Sequence, residues 1–479
     1  PGLSGGQKTG KIRERHMEPM TIRELLEAVN GRLLGEFNDV NRTVSRVETD
    51  SRTIHEGSLF IPLVGERFDG HAYINAALEG GAAGCLTQRE RESYLPGKFY
   101  IKVDSTHRAL RDLARWYKRK FPIPVVAITG SVGKTTTKDM VAAVLGERFK
   151  VLKTEGNLNN DIGVPMTLLR LNGEHEAAVL ELGMNHAGEI DYLSAIVEPD
   201  VVLITNIGDS HIEHFGSREK ILEAKCEIFH HAHKGAFAVL NGDDPLLRTL
   251  DGTLSHEILW CGTGENNDYR ACQVESDGKS RITCEVKTPD MEFRVEIPAL
   301  GEHMVYPTLM AAAVGERFGL TQKEITNGVL HFAPTKMRMN IIQRGEGITI
   351  LNDTYNANPQ SMRAAVGVLG AAAGGFKVAV LGDMFELGPL APALHAGIGE
   401  YLGKAGVDCL VAVGELAKHI YDAAEKAGVP ELHYCAGKKE ALPVLAQVVK
   451  PGCTVLVKAS RGMAFEELVE YLKVITPEA

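Results

Sequence analysis

A glycine-bounded loop between an apolar run and a helical pattern is the segment of this sequence best suited to chemistry. It reads Thr129-Gly130-Ser131-Val132-Gly133-Lys134-Thr135-Thr136. Its small residues let successive backbone N–H groups turn toward one anion, and the helix dipole adds to that attraction. Lys134 would neutralise phosphate charge, and the Thr135 hydroxyl would ligate Mg²⁺. The loop has Ile128 where the full Walker A spacing has glycine, so the alternative is a helix-capping loop with a surface lysine.

Acidic and histidine side chains after the next apolar runs are candidates for a metal site. Glu181 ends one such run, where a phosphate-binding loop needs a carboxylate for Mg²⁺, although a solvated carboxylate is the alternative. His211 lies in the loop after the following run, and on spacing alone it is more often a hydrogen-bonded loop residue than a ligand. A trio of histidines further on is better interpreted as a solvated helix end: His230, His231 and His233. The sequence has no Asn-Lys-x-Asp guanine signature, which favours ATP.

Alternation of apolar runs with helical stretches predicts the elements that position these residues. Continuous apolar runs separated by helices are typical of a parallel sheet covered on both faces. The runs before Pro334 are 125–129, 177–182, 201–205 and 236–240, and those after it are 348–351, 378–382, 409–413 and 454–457. Shorter alternating segments between Asp268 and Pro298 predict an antiparallel hairpin. We therefore predict an α/β protein of three unequal modules.

Composition and charge exclude several classes of protein. The chain has 479 residues, of which 44% are hydrophobic and 24% charged, as in globular domains. Its net charge of −10 provides no field that attracts a phosphate backbone, so we expect no nucleic-acid partner. The apolar runs are far shorter than the ~18 residues that span a bilayer, and no transmembrane segment is predicted.

The cysteines and the N-terminal stretch bear on compartment and processing. The eight cysteines are scattered and form no Cys-x-x-Cys pair, which argues against a disulfide framework or a zinc site. The basic stretch over residues 1–17 has no apolar core typical of a secretory signal, and we interpret it as a tag remnant. These features predict a cytoplasmic protein, which we expect to be a monomer.

Several motifs in a fixed order resemble the Mur ligase family. They are the loop 129–136, the Asn-rich run 156–165, the segment 353–359 with Ser361 and Met362, and the segment 380–388. Near the N-terminus, Asp50-Ser51-Arg52 and Asp69-Gly70-His71 resemble the uridine-binding module of the same family. The resemblance implies a UDP-substrate domain at 18–106, a central P-loop ATP-binding domain at 107–333 and a C-terminal Rossmann-like domain at 334–479.

The resemblance also implies a reaction. ATP would phosphorylate the carboxylate of UDP-MurNAc-tripeptide, and the amine of D-Ala-D-Ala would displace phosphate from the resulting acyl phosphate. The third residue of the tripeptide, lysine or diaminopimelate, stays open. One alternative is another amide ligase of this type, either lysine- or diaminopimelate-adding or similar to folylpolyglutamate synthase. A nucleotide-driven switch or motor is the alternative from a different class.

Site residues follow from the resemblance position by position. The implied catalytic residues are Lys134, Glu181, His211, Lys225 and Arg338. The implied ATP-binding residues are Gly130, Ser131, Val132, Gly133, Lys134, Thr135, Thr136, Asp353, Asn356 and Asn358. The implied substrate-binding residues are Ser51, Arg52, Asp69, His71, Asn157, Asn160, Lys458 and Arg461. The implied Mg²⁺ ligands are Thr135, Glu181, His211 and Lys225.

Five positions carry particular expectations. Lys225 matches a lysine that the family carbamylates, although from the residues alone it is a solvated helix lysine. Lys458 and Arg461 are expected to meet the D-Ala-D-Ala carboxylate, with a solvated loop as the alternative. Met304 and Pro307 stand where many relatives have asparagines near adenine, so we expect apolar packing around the base.

Overall fold

The computed structural model describes residues 17–65 and 67–475. The predicted tag remnant therefore lies, except for Met17, outside the described residues. The chain divides into two compact units: Pro1–Pro122 with Asp161–His175, and Ile123–Asn160 with Glu176–Ala479. The three predicted domain boundaries stay a prediction. None of the described helices combines the length and the apolar character that a membrane crossing requires.

Helices and strands alternate through most of the described chain. The helices are α1 (Ile22–Val29), α2 (Ile74–Glu79), α3 (Thr106–Lys118), α4 (Lys134–Leu145), α5 (Gly163–Leu168), α6 (Glu189–Val197), α7 (Ile212–Phe215), α8 (Arg218–Cys226), α9 (Pro245–Arg248), α10 (Val305–Arg317), α11 (Gln322–Leu330), α12 (Pro359–Ala371), α13 (Ala391–Ala405), α14 (Ala417–Lys426), α15 (Lys438–Val448) and α16 (Glu466–Val474). The strands are β1 (Met20–Thr21), β2 (Arg32–Leu34), β3 (Thr43–Val44), β4 (Val47–Glu48), β5 (Leu59–Phe60), β6 (Gly84–Thr87), β7 (Phe99–Lys102), β8 (Val125–Thr129), β9 (Val151–Lys153), β10 (Ala177–Glu181), β11 (Val201–Ile204), β12 (Phe237–Asn241), β13 (Glu257–Gly262), β14 (Tyr269–Ser276), β15 (Ile282–Lys287), β16 (Glu292–Ile297), β17 (Asn340–Gln343), β18 (Thr349–Asn352), β19 (Lys377–Gly382), β20 (Cys409–Val413), β21 (Glu431–Cys435) and β22 (Thr454–Lys458).

The first unit is built on a small mixed sheet of order β2-β7-β6-β5-β4. Only the β2–β7 pair is antiparallel in this sheet. Phe60, Ile74 and Tyr100 belong to its buried core. The buried Tyr117 of α3 donates a hydrogen bond to the Leu171 carbonyl at 2.6 Å, which fastens the segment Asp161–His175 within this unit.

The second unit contains the larger sheet, of order β16-β15-β14-β13-β12-β11-β8-β10-β9. Strands β8 to β14 pair in parallel. Strand β15 pairs antiparallel with both β14 and β16, as the hairpin prediction requires. Residues of α4, α10 and α11 pack over the sheet, among them Val144, Leu309 and Ile325. Every residue of β8, β10 and β11 is buried, which explains their continuous apolar sequences.

A second sheet of the same unit has the order β17-β18-β22-β19-β20-β21. All of its pairs are parallel except β17–β18. Apolar clusters fill the space on each side of the sheet beneath helices α12 to α16. This arrangement confirms the predicted α/β class and its Rossmann-like C-terminal part.

Candidate active site

The glycine-bounded loop connects β8 to α4 and is anchored to the end of β11. Ser131 and Val132 donate their N–H groups to the carbonyl and side-chain oxygens of Asn206, at 3.0 and 2.9 Å. The Thr205 hydroxyl donates to the Val132 carbonyl at 2.6 Å. Gly130 has φ +145°, and a Cβ there would lie 1.9 Å from Thr205 Oγ1, so the close approach requires glycine.

These anchoring bonds decide which loop donors remain for an anion. Because the N–H groups of Ser131 and Val132 are used internally, the donors left in this segment include those of Gly133 and of the first residues of α4. The first N–H groups of a helix have no partner within the helix, and here they belong to Lys134, Thr135 and Thr136. These donors favour the binding of an anion at the N-terminus of α4.

Lys134 folds back over this loop. Its Nζ donates to the Gly130 carbonyl at 2.8 Å. Burial lowers the pKa of the Lys134 ammonium below its ordinary value, Arg338 lowers it further, and Glu181 opposes both. An anion bound at α4 would therefore be doubly favoured, because it would meet the helix N-terminus and compensate a desolvated cation.

Glu181 lies at the carboxyl end of β10 and is only 2% exposed. One carboxylate oxygen accepts a hydrogen bond from Asn159 Nδ2 at 2.8 Å, and the other, Oε2, has no partner among the described residues. The Thr154 hydroxyl oxygen accepts the Glu181 N–H at 3.0 Å. The solvated alternative for Glu181 is wrong, and a buried carboxylate oxygen without a partner is a fitting ligand for a divalent cation.

His211 and Lys225 lie within electrostatic reach of Lys134. His211 Nδ1 is 2.6 Å from a Glu386 carboxylate oxygen. Burial lowers the pKa of His211, and the charges of Lys134 and Lys225 lower it further. Glu386 raises it and so opposes them. Lys225 is 2% exposed, so the solvated alternative is wrong there too. Burial, and secondarily Lys134, lowers the pKa of Lys225 well below its ordinary value.

Arg338 approaches the site from the segment that follows α11. Its guanidinium stacks on the Tyr355 ring, 3.9 Å from the ring centroid, and its Nε is buried without a partner in the described chain. This contact holds the guanidinium against the ring and leaves its N–H groups available for an anion.

The remaining residues predicted from the C-terminal part form a connected group. Lys458 is 2% exposed, pairs with Asp353 and donates to the Asn356 carbonyl at 2.9 Å. Arg461 is half-exposed and pairs with Glu466 at 2.8 Å. Because its side chain is 51% exposed and that of Lys458 only 2%, Arg461 is the more accessible cation of the two.

Asn358 joins the two sheets of the second unit. Its side-chain oxygen caps α12 by accepting the Ser361 N–H at 2.8 Å, and its Nδ2 donates to Ser210 Oγ at 2.7 Å. Ser210 Oγ lies 3.3 Å from the Ser131 carbonyl and donates to it. The C-terminal part therefore touches the nucleotide loop through hydrogen bonds of side chains.

A cleft of about 1050 Å³ collects most of these groups. The predicted residues that line it are Ser131, Val132, Gly133, Lys134, Thr135, Thr136, Glu181, His211, Arg338, Asp353, Asn356, Asn358, Lys458 and Arg461. Gly130, Lys225, Asn157 and Asn160 are not among the lining residues. Met304 and Pro307 line the cleft beside Tyr306 and Met310, in agreement with the expected apolar surroundings of a base.

Some polar residues of the site had no distinguishing signal in the sequence. The cleft is also lined by Asn185, Asn206, Asn241, Asp244 and Glu386. Asn159, the partner of Glu181, lies between the selected Asn157 and Asn160. The Asn-rich run was the one signal for it, and only the fold shows which asparagine faces the carboxylate.

The predicted residues of the first unit form their own contacts. Ser51 and Arg52 lie in a short 3₁₀ turn capped by Asp50, and the exposed Arg52 pairs with Asp50 at 2.7 Å. Asp69 pairs with Arg89 at 2.9 Å and with the buried His71 at 2.7 Å. Because His71 Nε2 accepts the N–H of Gln88 at 3.1 Å, its Nδ1 carries the proton and donates to Asp69.

The histidines of the trio pair with aspartates and are well exposed. His230 and His231 both approach Asp191, and His233 approaches Asp200, with side chains 37–58% exposed. The interpretation as a solvated helix end is confirmed.

Three family models match the chain in order. They are the Mur ligase family catalytic domain over 43–118, the Mur ligase middle domain over 128–315 and the Mur ligase glutamate ligase domain over 337–461. The UDP-N-acetylmuramoyl-tripeptide–D-alanyl-D-alanine ligase of Bacillus subtilis is 39% identical over 94% of this chain and 98% of its own. The enzyme of that name from Escherichia coli is 37% identical over 95% and 99%.

Solved structures give the same result. A crystal structure of MurF from Acinetobacter baumannii superposes with a TM-score of 0.88 at 35% identity, over 95% of this chain and 99% of that one. MurF ligase from Thermotoga maritima in complex with ADP superposes with a TM-score of 0.79 at 29% identity, over 89% and 97%. With most of the predicted site residues of the second unit around one cleft and with relatives similar over almost their whole length, the chain belongs to the Mur ligase family.

Proposed function

We propose that this protein uses ATP to join D-Ala-D-Ala to UDP-MurNAc-tripeptide, forming UDP-MurNAc-pentapeptide for peptidoglycan. The use of ATP is supported by one observation: the N-terminus of α4, Lys134, Glu181 and Arg338 lie in the same cleft. The curated relatives that cover nearly the whole chain carry the other half, because their names state these substrates.

The reaction solves a leaving-group problem. A carboxylate does not acylate an amine directly, because its oxygen is a poor leaving group. Transfer of the γ-phosphoryl group to the tripeptide carboxylate gives an acyl phosphate, and attack by the D-Ala-D-Ala amine then expels phosphate. Both steps bring anions together, so the groups that stabilise negative charge supply most of the catalysis.

The residues of the cleft divide this work. The N–H groups of Lys134, Thr135 and Thr136 bind phosphate oxygens, and the Lys134 ammonium neutralises part of their charge. Arg338, held against the Tyr355 ring, donates to the transferring phosphoryl group. Met304 and Pro307 pack against the adenine, and Asp353, Asn356 and Asn358 contact ATP from the C-terminal part.

The donor set fits Mg²⁺. The unpartnered Glu181 oxygen and the Thr135 hydroxyl are hard oxygen ligands, and both residues line the cleft. When bound, Mg²⁺ polarises the transferring phosphoryl group and reduces its repulsion of the attacking carboxylate. His211, which lines the cleft from the loop after β11, would complete the metal surroundings.

Lys225 would join this metal site as a carbamate. Burial lowers the pKa of its amine, which favours the neutral, nucleophilic form, and the amine has no described hydrogen bond or ion pair. The amine nitrogen adds to the carbon of CO₂ and releases one proton, which converts a buried cation into an oxygen-bearing anion. Intact-protein mass spectrometry in bicarbonate should show one added CO₂ that Lys225→Ala loses, and activity indifferent to bicarbonate would contradict this role.

The other substrates are assigned to the remaining predicted residues. The uridine module of the first unit would use Ser51, Arg52, Asp69 and His71. Two asparagines, Asn157 and Asn160, would contact the UDP-sugar or the acyl phosphate. Lys458 and Arg461 would meet the D-Ala-D-Ala carboxylate, with Arg461 the more accessible.

Two further properties belong to the same proposal. A cytoplasmic location is supported by the eight free cysteines, six of them buried, since such thiols persist in a reducing compartment. A monomeric state is the second of these properties.

The decisive experiment is mass spectrometry of the products. The protein is mixed with ATP, Mg²⁺, UDP-MurNAc-tripeptide and D-Ala-D-Ala, using the lysine and diaminopimelate forms of the tripeptide separately. We expect the pentapeptide mass, with phosphate released only when both co-substrates are present. Absence of that mass would refute the proposal, and phosphate release without co-substrates would favour a switch. Product from UDP-MurNAc-dipeptide with lysine or diaminopimelate would instead favour an amide ligase of the other specificity.

A further inference from the structure

Two charged residues that no part of the reaction uses are buried on α4, just after the nucleotide loop. The side chains of Lys138 and Asp139 are 1% and 3% exposed. A buried carboxylate is stable only when cations and donors surround it. Asp139 Oδ1 accepts from Lys153 Nζ at 2.7 Å and lies 3.3 Å from Lys138 Nζ, while Oδ2 accepts from the Thr335 hydroxyl at 2.5 Å.

One side of this network leads to the proposed metal carboxylate. Lys138 Nζ donates to the Thr154 carbonyl at 2.8 Å, just beyond the end of β9. The hydroxyl oxygen of Thr154 accepts the backbone N–H of Glu181 at 3.0 Å. The position of Glu181 is thus tied through Thr154 and Lys138 to the same carboxylate.

The other side leads to Arg338. Thr335 lies between the segments that match the middle and C-terminal family models, which end at 315 and begin at 337. Its carbonyl accepts the Arg338 N–H at 3.2 Å in a turn. The hydrogen bond of the Thr335 hydroxyl therefore attaches the start of this turn to α4. The Arg338 side chain reaches the cleft from the end of the same turn.

We propose that Asp139, through its hydrogen bond with Thr335, is a positioning residue that sets Arg338 in register with the nucleotide loop. The inference rests on the proposed function, because Arg338 must act on the transferring phosphoryl group. The α4 helix carries the phosphate-binding N–H groups, so a linker attached to α4 holds its arginine at a constant distance from them. Without that attachment Arg338 still binds Tyr355, but the pair can shift relative to the phosphates.

Thr335→Val isolates this contact better than a change of Asp139. Valine matches the shape of threonine, and Asp139 keeps both lysines as partners, so the fold is preserved. Loss of one hydrogen bond to a charged group should lower kcat for pentapeptide formation about tenfold. KM for ATP should change less than about twofold, because the first turn of α4 is untouched. Thr335→Ser should restore kcat, and Thr326→Val, which removes an exposed hydroxyl of α11, is the matched control.

A second measurement separates positioning from a general loss of stability. In an Arg338→Lys background the flexible lysine is insensitive to a small backbone shift, so Thr335→Val should lower kcat by less than about threefold. A wild-type kcat for Thr335→Val, or the same loss in both backgrounds, would overturn the inference. If the unaltered protein formed no pentapeptide, the proposed function would fail instead, so the two failures are distinguishable.

Discussion

Asn159→Ala should weaken the binding of Mg²⁺ without disturbing the nucleotide loop. The Asn159 amide donates to one oxygen of Glu181 at 2.8 Å, and the other oxygen has no partner in the described chain. The amide is tightly packed, since a Cβ on Gly183 would lie 2.9 Å from it. Alanine would keep the backbone bond from the Gly183 N–H to the Asn159 carbonyl at 2.8 Å.

The size of the effect follows from this contact. A hydrogen bond to a charged group contributes about 1.5–3 kcal/mol. If all of it is lost from the metal-bound state, Mg²⁺ affinity falls roughly 10- to 150-fold. Removal of the hydrogen-bond partner of a metal ligand typically lowers metal affinity about 10- to 100-fold, so the two expectations agree.

The assay is Mg²⁺ titration of pentapeptide formation at saturating substrates. We expect the half-saturating Mg²⁺ concentration to rise by at least about tenfold for Asn159→Ala, in line with the contact energy. Asn266→Ala, in an exposed loop outside the cleft, is the control and should match the wild type. A half-saturation within about twofold of the wild type would refute the role of Asn159 in orienting Glu181.

Three further substitutions test separate parts of the structure. Gly130→Ala should destabilise the second unit by about 2–4 kcal/mol, since its Cβ meets Thr205 Oγ1 and its φ is unfavourable; an unchanged urea midpoint would contradict this. Tyr117→Phe should destabilise the first unit by about 1 kcal/mol through loss of its bond to Leu171, seen as a lower urea midpoint, whereas equal midpoints would dismiss the contact. Lys134→Met should lower kcat about 10³-fold while circular dichroism stays native, and retained turnover would remove its phosphate role.

Much of the fold was predictable because the signals are local. The runs that became β8, β10 and β11 are apolar throughout, since helices cover both faces of a parallel sheet. The nucleotide loop was recognisable because its glycines and Lys134 lie within one strand–loop–helix turn. Glu181 was predictable for a related reason, as it ends the strand beside that loop.

Burial of single charged residues was less predictable. Helix α8 reads Arg-Glu-Lys-Ile-Leu-Glu-Ala-Lys-Cys, a polar pattern that favours a solvated Lys225, yet the side chain is 2% exposed. Lys138 and Asp139 also look like surface residues of a helix. Their burial depends on what packs against each helix, which the helix's own sequence does not contain.

The chain by itself determined the alternation of strands and helices, the phosphate-binding turn and the acidic strand end, because each depends on neighbours a few residues away. Tertiary structure alone decided which polar groups meet across long separations. Asn159 reaches Glu181, Thr335 reaches Asp139, and Asn358 reaches Ser210. Each of these contacts exists only after separate strands and helices have packed, because the hydrogen bond needs atoms within about 3 Å that the sequence places far apart.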